Sequence, residues 1–189
     1  MLKKILKILG IILAVLIVAL GILRYLVNDQ ITVMNAVVDE DKDTLAYYID
    51  EKGFNPNDLY GWFNLHDIYL GVYKKESKPE FVKYMLDKGI DPNYKQRTIA
   101  TPLTYSFLLD NIEIVKLYIE NGADLNVINH KNMNPLGVAL ILSNCEIAKI
   151  LIDKGLSLQA GKSQYLAGLR LDYCKKNNWI SGDDKTVLE

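Results

Sequence analysis

The stretch "ENGADLN" at residues 120–126 decides how this chain is read. It is nearly restated as "DKGIDPN" at 87–93, and more faintly as "DEKGFNPN" at 50–57 and "DKGLSLQ" at 153–159. Gly53, Gly89, Gly122 and Gly155 are therefore spaced by 36, 33 and 33 residues. A fixed period in that range marks a solenoid of stacked units. The sixteen residues "NIEIVKLYIENGADLN" (111–126) lie over "KPEFVKYMLDKGIDPN" (78–93) and "NCEIAKILIDKGLSLQ" (144–159) without a gap. Each copy spaces apolar residues as a helix does; before Gly122 these are Ile114, Val115, Leu117, Tyr118 and Ile119. A stripe that wide suits a helix held between neighbours on both sides.

The glycine predicts a stop at each helix end, because it takes the left-handed conformation without a Cβ clash. Asn55, Asp91 and Asp124 follow two residues later, and such side chains favour turns. Upstream, "TPL" (101–103) and "NPL" (134–136) open a shorter helix. Thr101 and Asn134 suit the N-cap, and Pro102 and Pro135 suit the first helical position, where no backbone N–H is needed. One unit thus reads as turn, capped short helix, tight turn, longer helix, glycine stop and extended tip.

These residues resemble the ankyrin repeat. Residues 100–132 carry its pattern without a gap, in Thr101, Pro102 and Leu103, then Glu113, Val115 and Lys116, then Gly122, Ala123, Asp124 and Asn126. Residues 133–160 match nearly as well. Residues 63–93 match in their second half; "LH" at 65–66 is similar to the family's start, and roughly five extra residues lie near "YKKES" (73–77). The resemblance implies an all-α ankyrin-repeat solenoid of about four helix-turn-helix repeats plus a C-terminal capping helix. The expected divisions are a degenerate first repeat at 28–61, a second with an insertion at 62–99, a third at 100–132, a fourth at 133–162, and a capping helix with its tail at 163–189. The family's motif histidine is replaced by Thr104 and Gly137, so its ties between repeats are expected to be missing there. His66 is expected to be the motif histidine of its own repeat.

Residues 1–27 are of another kind. "ILGIILAVLIVALGIL" (8–23) carries no charge. At about 1.5 Å per residue it falls a little short of a roughly 30 Å hydrocarbon core, but Lys7 and Arg24 can snorkel and extend the span to residues 5–27. A transmembrane helix or signal anchor is the expected reading; a cleaved signal peptide, with "ALG" at 19–21 as a weak cleavage site, competes with it. Lys3, Lys4 and Lys7 precede the span, which places the N-terminus in the cytoplasm and the repeats across the membrane. The expected location is the inner membrane, single-pass, with a periplasmic or otherwise extracytoplasmic repeat domain.

Four of the 22 basic residues lie before residue 28 and all 23 acidic residues after it, so the remainder carries 18 basic against 23 acidic side chains. An acidic domain without a basic run argues against nucleic acid as a partner. Catalysis needs convergent polar groups in a pocket. Here the two histidines, His66 and His130, fall in different repeats, the glycines are helix stops, and Glu80, Glu113 and Glu146 recur at one repeat position as structural or solvated residues. No catalytic, cofactor-binding or metal-binding residue is assigned, and no small-molecule substrate. Cys145 and Cys174 form no metal motif. A disulfide between them is open from the spacing, with two buried free thiols the preferred reading.

The resemblance implies binding of another protein through extended tips and the inner faces of the first helices. On those positions fall Leu108 and Leu109 in the third repeat and Ile141 and Leu142 in the fourth, apolar where the fold does not require it. Tip residues Tyr60, Trp62, Arg97, Thr98, His130, Lys131 and Met133 add types enriched at interface centres. The competing reading places these residues in the core. Short ankyrin proteins with such an anchor look like bacterial envelope proteins. That likeness implies an immunity protein neutralising a toxic effector, or a scaffold holding a partner enzyme or complex at the membrane.

Overall fold

A computed structural model of the chain describes residues 2–58, 64–73, 76–94, 101–109, 111–129, 131–158 and 164–181. Among these the structure is helical, with no strand. The chain divides into two units, Met1–Gly53 and Phe54–Glu189.

The first unit is dominated by α1 (Leu2–Val38), followed by α2 (Lys42–Ala46) and a π-helical turn, Tyr47–Glu51. The expected boundary between residues 27 and 28 falls inside α1. Nothing between Arg24 and Val33 breaks a helix, since that stretch holds neither proline nor glycine. The character of the helix changes instead. Leu9 to Leu23 are exposed all round. Beyond them Asp29, Val33, Ala36 and Val37 are buried, a spacing that defines one face. Among the described residues, Leu9–Val38 is the one helix long and apolar enough to cross a membrane, with mean hydropathy 2.6 in its most apolar window. Asp41 caps α2, accepting the Thr44 amide at 3.0 Å, and the Tyr48 hydroxyl donates to Asp29 Oδ1 at 3.1 Å, tying the turn to α1.

The second unit holds three helix pairs and a final helix: α3 (Leu65–Tyr73) with α4 (Pro79–Asp87), α5 (Pro102–Ser106) with α6 (Ile112–Glu120), α7 (Pro135–Ile141) with α8 (Cys145–Asp153), and α9 (Gln164–Lys176). Helices α3, α5, α7 and α9 pack side by side in one layer, and α4, α6 and α8 in the other. One register runs through the outer layer. Phe81, Val82 and Met85 of α4 are buried, as are Ile114, Val115 and Tyr118 of α6 and Ile147, Ala148 and Leu151 of α8, each set 33 residues from the last.

Local signals act as expected. Thr101 and Asn134 cap α5 and α7, with Pro102 and Pro135 in the first turn. Asn111 and Asn144 cap α6 and α8. Gly122 and Gly155 close those helices at φ 84° and 86°, in the left-handed region. In the tips the carboxylates of Asp91 and Asp124 accept the amides of Asn93 and Asn126, both at 2.8 Å.

The cysteines correct an expectation. Cys145, at the start of α8, and Cys174, near the end of α9, form a disulfide with their Cα atoms 5.5 Å apart. The spacing of 29 residues did not reveal this because the pair is brought together by α8 and α9 both packing against α7.

Candidate partner-binding surface

The four apolar residues singled out at the ends of the first helices do not behave alike. Leu108 is 53% exposed, Ile141 38% and Leu142 41%, whereas Leu109 is 2% exposed. The cause is helix length. Helix α5 ends at Ser106, so Phe107 to Leu109 form a tight turn, with the Leu109 amide donating to the Ser106 carbonyl at 3.0 Å. Helix α7 runs two residues further in the repeat frame, to Ile141, and its last side chains take other directions. Leu109 is therefore a core residue, contrary to the expected four-residue solvent patch.

Met133 is a second correction. It is buried beneath the start of α7, and a Cβ at Gly137 would lie 3.3 Å from its own Cβ. Its amide is held by Asn129 Oδ1 at 3.0 Å, which turns the side chain inward. Lys131 is exposed in the same turn. Tyr60, Trp62, Arg97, Thr98 and His130 lie outside the described residues.

Helix α9 adds side chains that sequence reasoning assigned only to a cap. Ala167, Leu171 and Cys174 form its buried face, yet Leu169, Tyr173 and, just beyond the helix, Trp179 are half exposed. A helix apolar on both faces is the signal that could have shown this. Ile141, Leu169, Arg170 and Tyr173 line a groove of about 530 Å³ between the end of α7 and α9. Exposed apolar side chains thus occur in the third repeat, in the fourth and on the final helix. The groove also presents a guanidinium, which can pair with a carboxylate.

His66 is not placed as a catalyst or as the motif histidine. Asn64 caps α3, since its carbonyl accepts the Ile68 amide and its Oδ1 the Asp67 amide at 2.8 Å. Counting from the caps Thr101 and Asn134, His66 holds the position of Leu103 and Leu136, both core residues, and Asp67 that of Thr104 and Gly137. Its ring is wholly buried, and Nδ1 shares a 2.9 Å hydrogen bond with the Tyr118 hydroxyl. Burial lowers its pKa to about 4, against a smaller opposing effect of the Ile90 backbone. Burial likewise raises the Tyr118 phenol well above its ordinary value, with the charge of Asp67 adding to it. A neutral imidazole closed off from solvent packs; it does not exchange protons with a substrate. Thr104 spends its side chain on the Thr101 cap, with Oγ1 accepting the Thr101 amide at 3.0 Å.

Between repeats, the tips are tied by asparagines. Asn57 Nδ2 donates to the Gly89 carbonyl at 2.9 Å, and its Oδ1 accepts the Asp91 amide at 2.6 Å. Asn93 repeats this on the Gly122 carbonyl and the Asp124 amide, again at 2.9 and 2.6 Å.

Residues 68–161 match the family model for ankyrin repeats in three copies, which covers α4 to α8 and most of α3. The chain is an ankyrin-repeat protein, a class of repeat associated with protein–protein interaction. No curated protein shows a significant match to it.

Proposed function

We propose that the chain is a non-catalytic, membrane-tethered binding protein whose partner docks on the apolar face formed by Leu108, Ile141 and Leu142 and continued by Leu169 and Tyr173. The observation that carries the reading is the exposure of these large apolar side chains along one layer of helices, where folding does not use them. Contiguous apolar surface of this kind marks interaction sites. Lys131 and the tip residues Tyr60, Trp62, Arg97, Thr98 and His130 belong to the same proposal as its rim.

Two independent features support an extracytoplasmic repeat domain. Three lysines precede the apolar helix. The Cys145–Cys174 disulfide suits an oxidising compartment. With residues 5–27 of that helix as the span, the protein sits in the inner membrane with its N-terminus in the cytoplasm. Within this reading the narrower role we favour is that of an immunity protein masking a toxic effector, by analogy of architecture.

The test is a pair of charge substitutions in the full chain, Leu108→Asp with Leu142→Asp. Partner recovered with the wild-type chain from detergent-solubilised membranes should be lost, at about thirtyfold in affinity per central anchor. Because both sites are exposed, the melting temperature should hold. Unchanged partner recovery in the folded variant would overturn the reading.

A further inference from the structure

The asparagine ladder breaks at its third rung. Asn57 and Asn93 each present one edge of a carboxamide to the next tip, donating to a glycine carbonyl and accepting an amide two residues on. By the 33-residue register Asn126 should do the same to the Gly155 carbonyl and the Ser157 amide. Among the described residues no such bond joins them; Asn126 is exposed, and only its backbone amide is engaged, by Asp124. In its place the seam opens into a groove of about 440 Å³, lined by residues 123–126, Asn134 and residues 154–157.

The sequence explains the opening. Asn134 stands where the preceding repeat has Thr101, and the longer side chain reaches the fourth tip. Its Oδ1 caps Gly137 at 3.0 Å, and its Nδ2 donates to the Ser157 carbonyl at 2.6 Å. That bond draws the tip toward α7 and away from Asn126. The fourth tip also has Ser157 where the others have Asn55, Asp91 and Asp124, whose side chains each accept the amide two residues on.

We infer that the open seam is a binding slot for a primary carboxamide, an asparagine or glutamine side chain of a partner polypeptide. The Gly155 carbonyl and Ser157 amide form the acceptor and donor pair that a carboxamide edge occupies twice elsewhere in this chain. Such an edge must offer N–H and C=O side by side. A primary amide does so; a trans peptide bond directs the two groups to opposite sides and does not fit. Asp124 and Lys154 flank the slot and leave it open to solvent. The slot is defined by the two filled rungs of the same chain and does not depend on the apolar face.

The experiment is an amide-resolved NMR titration of the full chain in detergent micelles, with acetamide as the probe and N-methylacetamide as its trans secondary counterpart. Acetamide should shift Ser157 and Gly155 saturably and leave Asp91 and Asp124, already bonded, in place; N-methylacetamide should leave all four in place. Asn134→Thr, which keeps a cap while freeing the Ser157 carbonyl, should let Asn126 close the rung and abolish the acetamide shift. Equal shifts from both amides would overturn the inference. So would protection of the Ser157 amide from exchange in the free wild-type protein equal to that of Asp124, which would mean Asn126 already fills the slot.

Discussion

His66 on α3 and Tyr118 on α6 meet in the buried seam between the second and third repeats, ring centroids 5.2 Å apart and edge to face, with a 2.9 Å hydrogen bond between Nδ1 and the phenol oxygen. One place before the family's motif position, which Asp67 holds, a core histidine paired with tyrosine joins the repeats.

That pair makes stability depend on pH. The folded pKa of His66 is about 4, below the ordinary 6.5. As pH falls, the unfolded chain takes up the proton first, so stability is complete above pH 6.5 and drains away toward pH 4. Between pH 8 and pH 5 the loss should be about 2 kcal/mol, from the 1.36 kcal/mol carried by each pKa unit. Denaturant unfolding at pH 8, 6.5 and 5 measures it, and His66→Gln should flatten the slope over that interval.

Removing the other half of the pair should also be felt. Tyr118→Phe keeps the ring packing but leaves a buried imidazole nitrogen without its partner. The expected cost is about 1–3 kcal/mol. Chemical denaturation at pH 8 checks it; a variant as stable as the wild type would show that the hydrogen bond contributes nothing net.

The disulfide predicts a redox-dependent stability. It closes a loop of 29 residues between α8 and α9. Constraint of the unfolded chain by a loop of that length contributes about 3–4 kcal/mol. Cys145→Ala with Cys174→Ala should lower the melting temperature and raise hydrogen exchange first in α9. Thiol labelling of the unfolded wild-type protein without reductant should find neither cysteine reactive.

Burial separates two leucines that the sequence presents alike. Leu109→Ala should destabilise the fold by about 2–5 kcal/mol, as a core truncation does. Leu142→Ala should change stability by about 0.5 kcal/mol or less, as at an exposed site. Thermal melts of the two variants make the comparison.

Topology can be read with fusions to Glu189. Alkaline phosphatase attached there should be active, and a fluorescent protein that matures only in the cytoplasm should stay dark. The reverse pattern would put the repeats on the cytoplasmic side.

How far the sequence was legible follows from how local each signal is. Gly89, Gly122 and Gly155 announce helix ends because glycine takes the left-handed conformation without a Cβ clash, and the capped Thr101-Pro102 and Asn134-Pro135 pairs announce helix starts for equally local reasons. Leu109 departs from expectation because burial there depends on where the first helix ends, and α5 and α7 differ by two residues in the repeat frame; Met133 does so because Asn129 holds its amide and Gly137 leaves room for its side chain. His66 falls one place before the motif position because Asn64, rather than a threonine, caps α3. The disulfide and the broken asparagine rung are relations between distant residues, to which no periodic pattern points.

The unbroken α1 has a mechanical consequence. From Leu2 to Val38 it is one rod of 37 residues, on the order of 55 Å long. In the membrane-tethered reading proposed above, a flexible linker would let whatever follows the span sweep a wide volume over the bilayer. A rod instead fixes the height and heading at which Val33 and Val37 are presented, and any tilt of the span is passed to them as a lever passes it. A glycine-rich insertion after Asn28 would cut that lever while leaving both of its ends intact.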